Sequence, residues 1–112
     1  MAKKKLSPRA ERRSFERAAN KLGEGRERLA RLEAGGDPTR PIPLESASQV
    51  EPHALALACL RCNSPYRLDD HAAVPVARSS GASEMLRVAK LRCSQCGARR
   101  DVWFRLSPPL AN

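Results

Sequence analysis

Four cysteines in two closely spaced pairs constrain this chain more than any other feature of its sequence. Two residues separate Cys59 from Cys62 and Cys93 from Cys96, and thirty residues lie between the two pairs. Two intervening residues allow both thiolates of a tight turn to reach one ion, and two such turns complete a tetrahedral sulfur site. The sequence therefore predicts one structural zinc ion per chain, bound by all four cysteines.

The residues after each cysteine pair fit such a site. The position that follows the second cysteine of each turn needs left-handed backbone geometry, which Gly97 adopts freely and for which Asn63 is the next-best residue type. Backbone amides in the turns then donate to the sulfurs and lower the cost of the thiolate charges. Iron in a rubredoxin-like cage, an iron–sulfur cluster, disulfides and a thioredoxin-type redox site are weaker alternatives. Rubredoxin-like cores are usually rich in aromatic residues, whereas aromatic residues make up 4% of this chain.

Nothing in the sequence predicts an enzyme. Four thiolates fill the coordination shell of zinc and leave no position for a catalytic water. The two histidines, His53 and His71, are assigned to surface or hydrogen-bonding roles rather than to the metal. The run of Asp69, Asp70 and His71 falls in a predicted strand, where neighbouring side chains point to opposite faces and do not converge on a substrate. We expect no catalytic residues and no small-molecule substrate.

The N-terminal part of the chain is expected to contain a basic tail, residues 1–7, and one helix, residues 8–34. Ser7 is a favourable N-cap, Pro8 suits the first helical position, and the glycines that follow provide a stop. Apolar or small residues recur along this helix at heptad-like spacing, at Phe15, Ala18, Leu22, Gly25, Leu29 and Leu32. The seam is shorter than a coiled coil normally needs. Self-pairing, docking on a partner protein and a solvated helix packed loosely on its own domain all stay open.

Residues 35–53 contain four prolines and are predicted to form a semi-rigid linker without a helix, although Ile42, Leu44 and Val50 are apolar enough to lie across the following domain. From residue 54 the pattern favours strands. They are predicted at 54–59, 66–76, 86–93 and 101–106, with a turn at 79–81, a bulge at Ala89 and a short tail at 107–112.

Residues 54–106 resemble the zinc-ribbon superfamily, whose members often follow Cys-x2-Cys-Gly with a strand containing Trp and Phe. The segment that carries the resemblance is Cys93-Ser-Gln-Cys-Gly-Ala-Arg-Arg-Asp-Val-Trp-Phe. The resemblance implies a small α+β fold, with a C-terminal antiparallel zinc ribbon preceded by one helix and a Pro-rich linker. It does not select a function, because ribbons serve in transcription factors, ribosomal proteins, enzyme appendages and adaptors. Transcription-elongation ribbons have an acidic pair at the hairpin tip, and residues 79–83 lack one.

Charge points to an anionic partner. The chain has a formal net charge of +9, which favours nucleic acid, although abundant arginine and alanine are also typical of a GC-rich genome. A phosphate-facing strip is predicted at Arg87, Lys90, Arg92, Arg99 and Arg100. Trp103 and Phe104 are expected in the core rather than stacked on bases. We expect a non-catalytic ribbon that contacts nucleic acid or a nucleoprotein complex. The alternatives are a protein–protein adaptor that uses the helix and an electron carrier with iron in the cysteine cage.

The start of the chain has charge but no apolar segment of the signal-peptide type, and no stretch approaches the roughly 18 apolar residues of a membrane span. We therefore expect a cytoplasmic protein without a membrane partner. In that reducing environment, paired cysteines bind metal more often than they form disulfides.

Overall fold

The computed structural model describes residues 7–107 and has a small α+β fold with one long helix, one short helix and a four-stranded mixed sheet. The elements in chain order are α1 (Pro8–Leu32), β1 (Ile42–Leu44), a 3₁₀ turn (Ala47–Gln49), α2 (Val50–Leu55), β2 (Tyr66–Ala77), β3 (Ser83–Cys93) and β4 (Arg99–Leu106). The strands lie in the order β1-β4-β3-β2. Except for Ser7 and Ser107, the two predicted tails lie outside the described residues.

The long helix begins as the sequence predicts. The Ser7 hydroxyl accepts a hydrogen bond from the Ala10 amide at 3.1 Å, and Pro8 occupies the first turn. The helix ends at Leu32, two residues before the predicted end, because the Glu33 amide already donates to the Ala30 carbonyl in a tightened last turn. The chain then turns through Gly35, whose φ is +86°.

The predicted linker contains regular structure, and the prediction that it forms no helix is wrong at its end. Ile42–Leu44 pairs in parallel with β4, so the predicted linker adds a strand to the antiparallel strands β2, β3 and β4, and the sheet as a whole is mixed. Helix α2 begins at Val50 and includes Pro52 in its first turn, where the missing amide costs no helical hydrogen bond. Val50 is fully buried, so burial of an apolar side chain outweighs the local preference of proline for extended backbone.

The three C-terminal strands are found close to their predicted positions, and β2 and β3 form an antiparallel hairpin. The strand predicted at 54–59 is wrong. Ala54 and Leu55 complete α2, and only Ala58 pairs in this stretch, in an isolated bridge with Pro65. The apolar run at residues 54–59 is too short for its hydrophobic periodicity to distinguish a buried helix from a buried strand, which explains the error.

The predicted bulge is also misplaced. The register of β2 shifts between Leu68 and Asp70, whereas Ala89 on β3 is regularly paired on both sides. Val88 and Ala89 are 1% and 0% exposed although they point to opposite faces of the sheet. The consecutive apolar residues Val88 and Ala89 therefore indicate a central strand that is buried on both faces, and they do not indicate a β-bulge.

The two faces of the sheet differ. On one of them, called here the α2 face, Val50 and Ala54 of α2 belong to the same buried cluster as Leu91, Val102 and Phe104. The opposite surface is called here the second face. It carries the residues that alternate along each strand with the residues of the α2 face. Cross-strand partners share a face, so the register places Trp103 and Val88 together on the second face.

Helix α1 runs beside β4 in the same direction. Its residues Ala19 and Asn20 border one cleft together with residues 96–98, and Glu27, Ala30 and Arg31 border another together with residues 99–101 and 103. The edge of β4 is thus occupied by α1 along its first part and by β1 along its second part. Residues 11–22 of α1 are all exposed, and the molecule extends to 76 Å in its longest dimension.

The turn between α1 and β1 generates the first prediction. A Cβ atom on Gly35 would lie 2.6 Å from Cδ1 of Ile42 and 3.1 Å from Cγ1 of Val102, whereas a Cβ on Gly81, which has nearly the same φ, meets nothing within 4 Å. Both Gly→Ala changes incur the roughly 1–2 kcal/mol cost of left-handed backbone. Gly35→Ala should lower the thermal unfolding midpoint, measured at saturating zinc, further than Gly81→Ala. Equal midpoints would show that β1 does not pack tightly on β4.

Candidate metal centre

The two cysteine turns, called here the first knuckle (residues 59–64) and the second knuckle (residues 93–98), have the same hydrogen-bond pattern. In the first knuckle the Cys59 amide donates to the Ser64 carbonyl at 2.9 Å and the Asn63 amide donates to the Cys59 carbonyl at 2.9 Å. The equivalent bonds in the second, from Cys93 to Ala98 and from Gly97 to Cys93, measure 2.8 and 3.2 Å. Two sequence-distant segments therefore present a cysteine pair in the same local geometry.

Left-handed backbone occurs where the sequence predicts it. Asn63 has a φ of 63° and Gly97 a φ of 74°. Asn63 is the one non-glycine residue with positive φ in the described part of the chain. This geometry reverses the chain just after the second cysteine, so that both thiols of a knuckle point to the same side.

The four thiol sulfurs form one cluster. Cys59 Sγ lies 3.6 Å from Cys96 Sγ, Cys62 Sγ lies 3.3 Å from Cys93 Sγ, and all four sulfurs are within 4.8 Å of one another. A tetrahedral ion with sulfur ligands at about 2.3 Å places its sulfurs ~3.8 Å apart, which these spacings match closely. All four cysteines are free thiols. The cluster is compatible with one bound metal ion, including zinc.

Backbone amides surround the sulfurs as a thiolate site needs. The Arg61 amide donates to Cys59 Sγ at 3.4 Å, and the amides of Gln95 and Cys96 donate to Cys93 Sγ at 3.4 Å each. Cys59 and Cys93 are buried, whereas Cys62 and Cys96 are exposed. The donors therefore stabilise negative charge on the two sulfurs that water reaches least.

Thiol acidity differs strongly across the cluster. Hydrogen bonds from the Ser64 side chain and amide, together with contact with Cys93, lower the pKa of Cys62 to about 6. The Ala98 amide acts to lower the pKa of Cys96, but desolvation and three neighbouring cysteines overcome it and raise that pKa to about 12. Four thiols this close cannot all ionise next to one another, and a shared cation removes the repulsion.

The histidines do not join the cluster, as the sequence analysis expects. The His53 ring meets the edge of Phe104, with the ring centroids 5.4 Å apart, and Nδ1 of His71 lies 3.9 Å from Glu51 on α2. Asp69 contacts Arg92, while the Asp70 carboxylate accepts from the His71 amide. Among residues 7–107, the four cysteines are the one group of three or more side chains spaced to bind a metal.

An ion pair ties α1 to the first knuckle. Arg61 Nε donates to Glu27 Oε1 at 2.6 Å, and its Nη2 reaches the second carboxylate oxygen at 3.4 Å. The hydrogen bond from Arg61 lowers the pKa of Glu27. Gly23 lies one helical turn away, and a Cβ atom there would be 3.1 Å from Cγ of Arg61. The Arg61 side chain thus bridges the knuckle and the helix, by charge at one end and by close packing along its stem.

The structure does not place the five predicted phosphate-binding residues in one strip. Lys90, Arg92 and Arg99 lie on the second face, because Lys90 pairs with Asp101 and Arg92 with Arg99. Arg87 and Arg100 pair with residues of the α2 face and lie on that side. The prediction placed Arg99 and Arg100 in the same strip, although neighbours in a strand point to opposite faces.

A residue that the sequence analysis did not select, Arg67, completes a row of three arginines. Arg67 on β2 is paired with Arg92 on β3, which is paired with Arg99 on β4, so all three share the second face. We call this the arginine row. Only the strand register identifies it, because the three residues are far apart in the sequence.

Most carboxylates near these cations already have partners. Asp69 pairs with Arg92 at 3.1 Å, and Glu84 pairs with both Arg78 and Arg105. In the described part of the chain, five cations of the sheet have no carboxylate oxygen within 4.0 Å: Arg67, Arg87, Lys90, Arg99 and Arg100. Positive charge on the sheet is therefore left uncompensated.

Comparison of the chain with protein-family models, curated proteins and solved structures finds no match. Neither α1 nor α2 is long and apolar enough to cross a membrane, and the same holds for every helix within residues 7–107.

The cysteine cluster generates the second prediction. Cys59→Ser should abolish stoichiometric metal binding and unfold the sheet, because a structural zinc site contributes ~10–16 kcal/mol of coupled binding and folding energy. Elemental analysis and far-ultraviolet circular dichroism measure the two effects, and Ser94→Ala on the second knuckle, which leaves every thiol in place, is the control. A Cys59→Ser protein that stays folded and metal-free would contradict a structural metal.

Proposed function

We propose that this chain is a non-catalytic zinc-ribbon protein that holds one zinc ion through Cys59, Cys62, Cys93 and Cys96 and binds nucleic acid with its second face. The zinc assignment rests on the four-sulfur donor set, whose spacing suits a closed tetrahedral shell. Such a shell has no open position, so zinc has a structural role and the function is one of binding.

The arginine row is the observation that carries the nucleic-acid proposal. Like charges directly opposite each other on neighbouring strands destabilise a sheet. Here Arg67, Arg92 and Arg99 face one another across three strands, and among residues 7–107 Asp69 is the one carboxylate paired with them. A fold selected only for stability gains nothing from this arrangement, whereas a ligand with a chain of phosphates offsets the repulsion.

The geometry of the row also suits a polyanion. Strands lie ~4.8 Å apart, so the three arginines extend across three of the four strands and meet an extended backbone at successive points. Guanidinium groups bind phosphate oxygens with two parallel hydrogen bonds, which makes arginine well suited to this contact. Contacts of this kind determine affinity and orientation and do not read sequence.

Arg67 provides the third prediction. Arg67→Ala removes one member of the arginine row, and Arg87→Ala removes an equally unpaired cation from the α2 face. If the row binds phosphates, Arg67→Ala should make the plot of log affinity against log salt less steep by ~0.7 on a single strand or ~0.9 on duplex DNA. Arg87→Ala should leave the slope within error of the unchanged protein.

Two further measurements complete this test. The comparison is repeated with Lys3, Lys4 and Lys5 replaced by alanine, since tail lysines bind any polyanion. Zinc content is measured for each variant to confirm the fold. Equal slopes for Arg67→Ala and Arg87→Ala would exclude the arginine row as the interface. Absence of salt-sensitive binding to every nucleic acid tested would reject the nucleic-acid function.

A second candidate function, an adaptor, is favoured by the exposed side of α1. The helix buries Gly23 and Ala30 toward the rest of the protein. Leu22 and Leu29 are each one position away, about 100° around the helix axis, and their side chains are 57% and 63% exposed. Phe15 and Leu32, which continue this seam, are exposed by 80% and 64%.

The charge of α1 indicates the partner that would cover the seam. The helix contains eight basic residues, at positions 9, 12, 13, 17, 21, 26, 28 and 31, against four glutamates, at positions 11, 16, 24 and 27. A second copy of α1 would bring like charges together along the contact. An amphipathic helix with acidic flanks on another protein satisfies both the apolar seam and the surrounding arginines.

The seam generates the fourth prediction. The purified protein should sediment as a monomer, and a partner identified after nuclease treatment and purified should present such an acidic helix. Leu22→Glu should weaken that complex at least about tenfold, because it places a carboxylate in the apolar contact and opposite acidic residues. Arg87→Ala, which lowers the net charge by the same amount, is the control. A dimer of the unmodified protein that Leu22→Glu dissociates would show instead that the seam pairs with itself.

A further inference from the structure

A cleft of about 550 Å³ separates α1 from the edge of β4. Its walls include Ala30 and Arg31 on the helix and Arg99 and Trp103 on the strand, with Lys90 of β3 behind them. The volume lies within the roughly 300–1,000 Å³ of small-ligand pockets. The cleft is therefore large enough for one nucleotide and is continuous with the arginine row through Arg99.

The charge inside the cleft favours an anion. Two of its acidic residues are already paired, Glu27 with Arg61 and Asp69 with Arg92. The cations that line it are Arg31, Lys90, Arg99 and Arg100, and within residues 7–107 none of them has a carboxylate oxygen within 4.0 Å. Asp101 is left as the one unpaired carboxylate of the described cleft. Leaving out Arg100, whose side chain lies on the α2 face, unpaired cations outnumber unpaired carboxylates three to one.

Trp103 adds an aromatic surface to the wall of the cleft. Phe104, its neighbour, is completely buried on the α2 face, whereas Trp103 is half-buried on the second face and lines the cleft. Its backbone amide donates to the Gly35 carbonyl at 2.7 Å, which anchors this part of β4 beside the turn after α1. Lys90 lies diagonally across the strand pair from Trp103, because Lys90 pairs with Asp101 and Val88 with Trp103.

We propose that this cleft binds one unstacked nucleotide of a single-stranded nucleic acid, with its base against the Trp103 indole and its phosphate at Lys90 and Arg31. A planar aromatic group beside a phosphate is the chemistry that an aromatic wall next to unpaired cations recognises. Asp101 faces the same space and accepts a hydrogen bond from an amino or imino group of the base. The inference rests on the proposed function and adds to it a preference for single strands over duplexes, whose bases are already stacked.

Trp103 is the one tryptophan of the sequence, so its emission reports on the cleft directly. Titration of the full zinc-loaded protein uses oligothymidylate of about ten nucleotides, within the ~4–16 nucleotides that single-strand sites commonly span. Oligouridylate, free thymidine and uridine monophosphates, a duplex and an abasic oligonucleotide with the same number of phosphates are the other probes. The single strands should quench Trp103 saturably, whereas the abasic strand and the duplex should bind without quenching. Comparison of oligothymidylate with oligouridylate shows whether the cleft prefers DNA or RNA. Comparison of both strands with the free monophosphates shows whether a free nucleotide is sufficient for binding.

Paired variants locate the contact. Arg31→Ala and Arg28→Ala remove the same charge from neighbouring turns of α1, but only Arg31 lines the cleft. Arg31→Ala should weaken oligothymidylate binding several-fold, and Arg28→Ala should not. Trp103→Leu should weaken it roughly 5- to 150-fold, the range that one base–aromatic stack supplies, while Trp103→Phe retains most of the affinity. Zinc content and circular dichroism confirm that each variant is folded.

The outcomes separate this inference from the proposed function. Salt-dependent binding of oligothymidylate without a change in Trp103 emission would overturn the cleft and leave the arginine row as the binding surface. Equal quenching by the abasic strand would show that a phosphate alone occupies the cleft, and would also overturn the stacking proposal. No binding to any probe would reject the nucleic-acid function and the cleft together.

Discussion

The convergence of four sulfurs in one cluster is the constraint on which the rest of the structure depends. The second knuckle joins β3 to β4 and the first leads into β2, so an ion that bridges them fixes one end of three strands at once. Tyr66 pairs with Cys93 at this end, which ties the register of the hairpin to the site. In the part of the chain that the structure describes, the largest fully buried side chains are Phe104, Leu86, Leu91, Val50, Val88 and Val102. A core this small is of the size that usually needs a metal in addition to hydrophobic burial.

The two faces of the sheet differ in chemistry. Apolar burial is concentrated on the α2 face, where α2 and β1 complete a core that the hairpin alone could not close. The three arginines of the arginine row lie on the second face in register across three strands, and of these Arg92 is paired with Asp69. The separation follows from the alternation of side chains along a strand, which sends neighbouring residues to opposite environments.

Helix α1 covers part of the edge of β4 and leaves its own larger apolar residues exposed. It lies beside the part of β4 that β1 does not pair, and a covered edge is protected from pairing with other chains. It approaches the knuckle through the small Gly23 and the ion pair between Glu27 and Arg61, so its larger apolar residues are left exposed. The same loose approach leaves the cleft beside Trp103. The nucleotide and adaptor proposals therefore use opposite sides of one helix and are not mutually exclusive.

The sequence by itself determined the features that depend on local chemistry. Spacing identified the four cysteines, backbone preference identified Asn63 and Gly97, and capping residues identified the start of α1 at Ser7 and Pro8. What the tertiary structure alone decided depends on contacts between distant segments. The parallel pairing of Ile42–Leu44 with β4, the helical state of Ala54 and the bulge at Asp69 rather than Ala89 were decided by burial and register, which no short window of sequence contains. The arginine row and the position of Trp103 belong to this second group, because which cations share a face is fixed only when the strands pair.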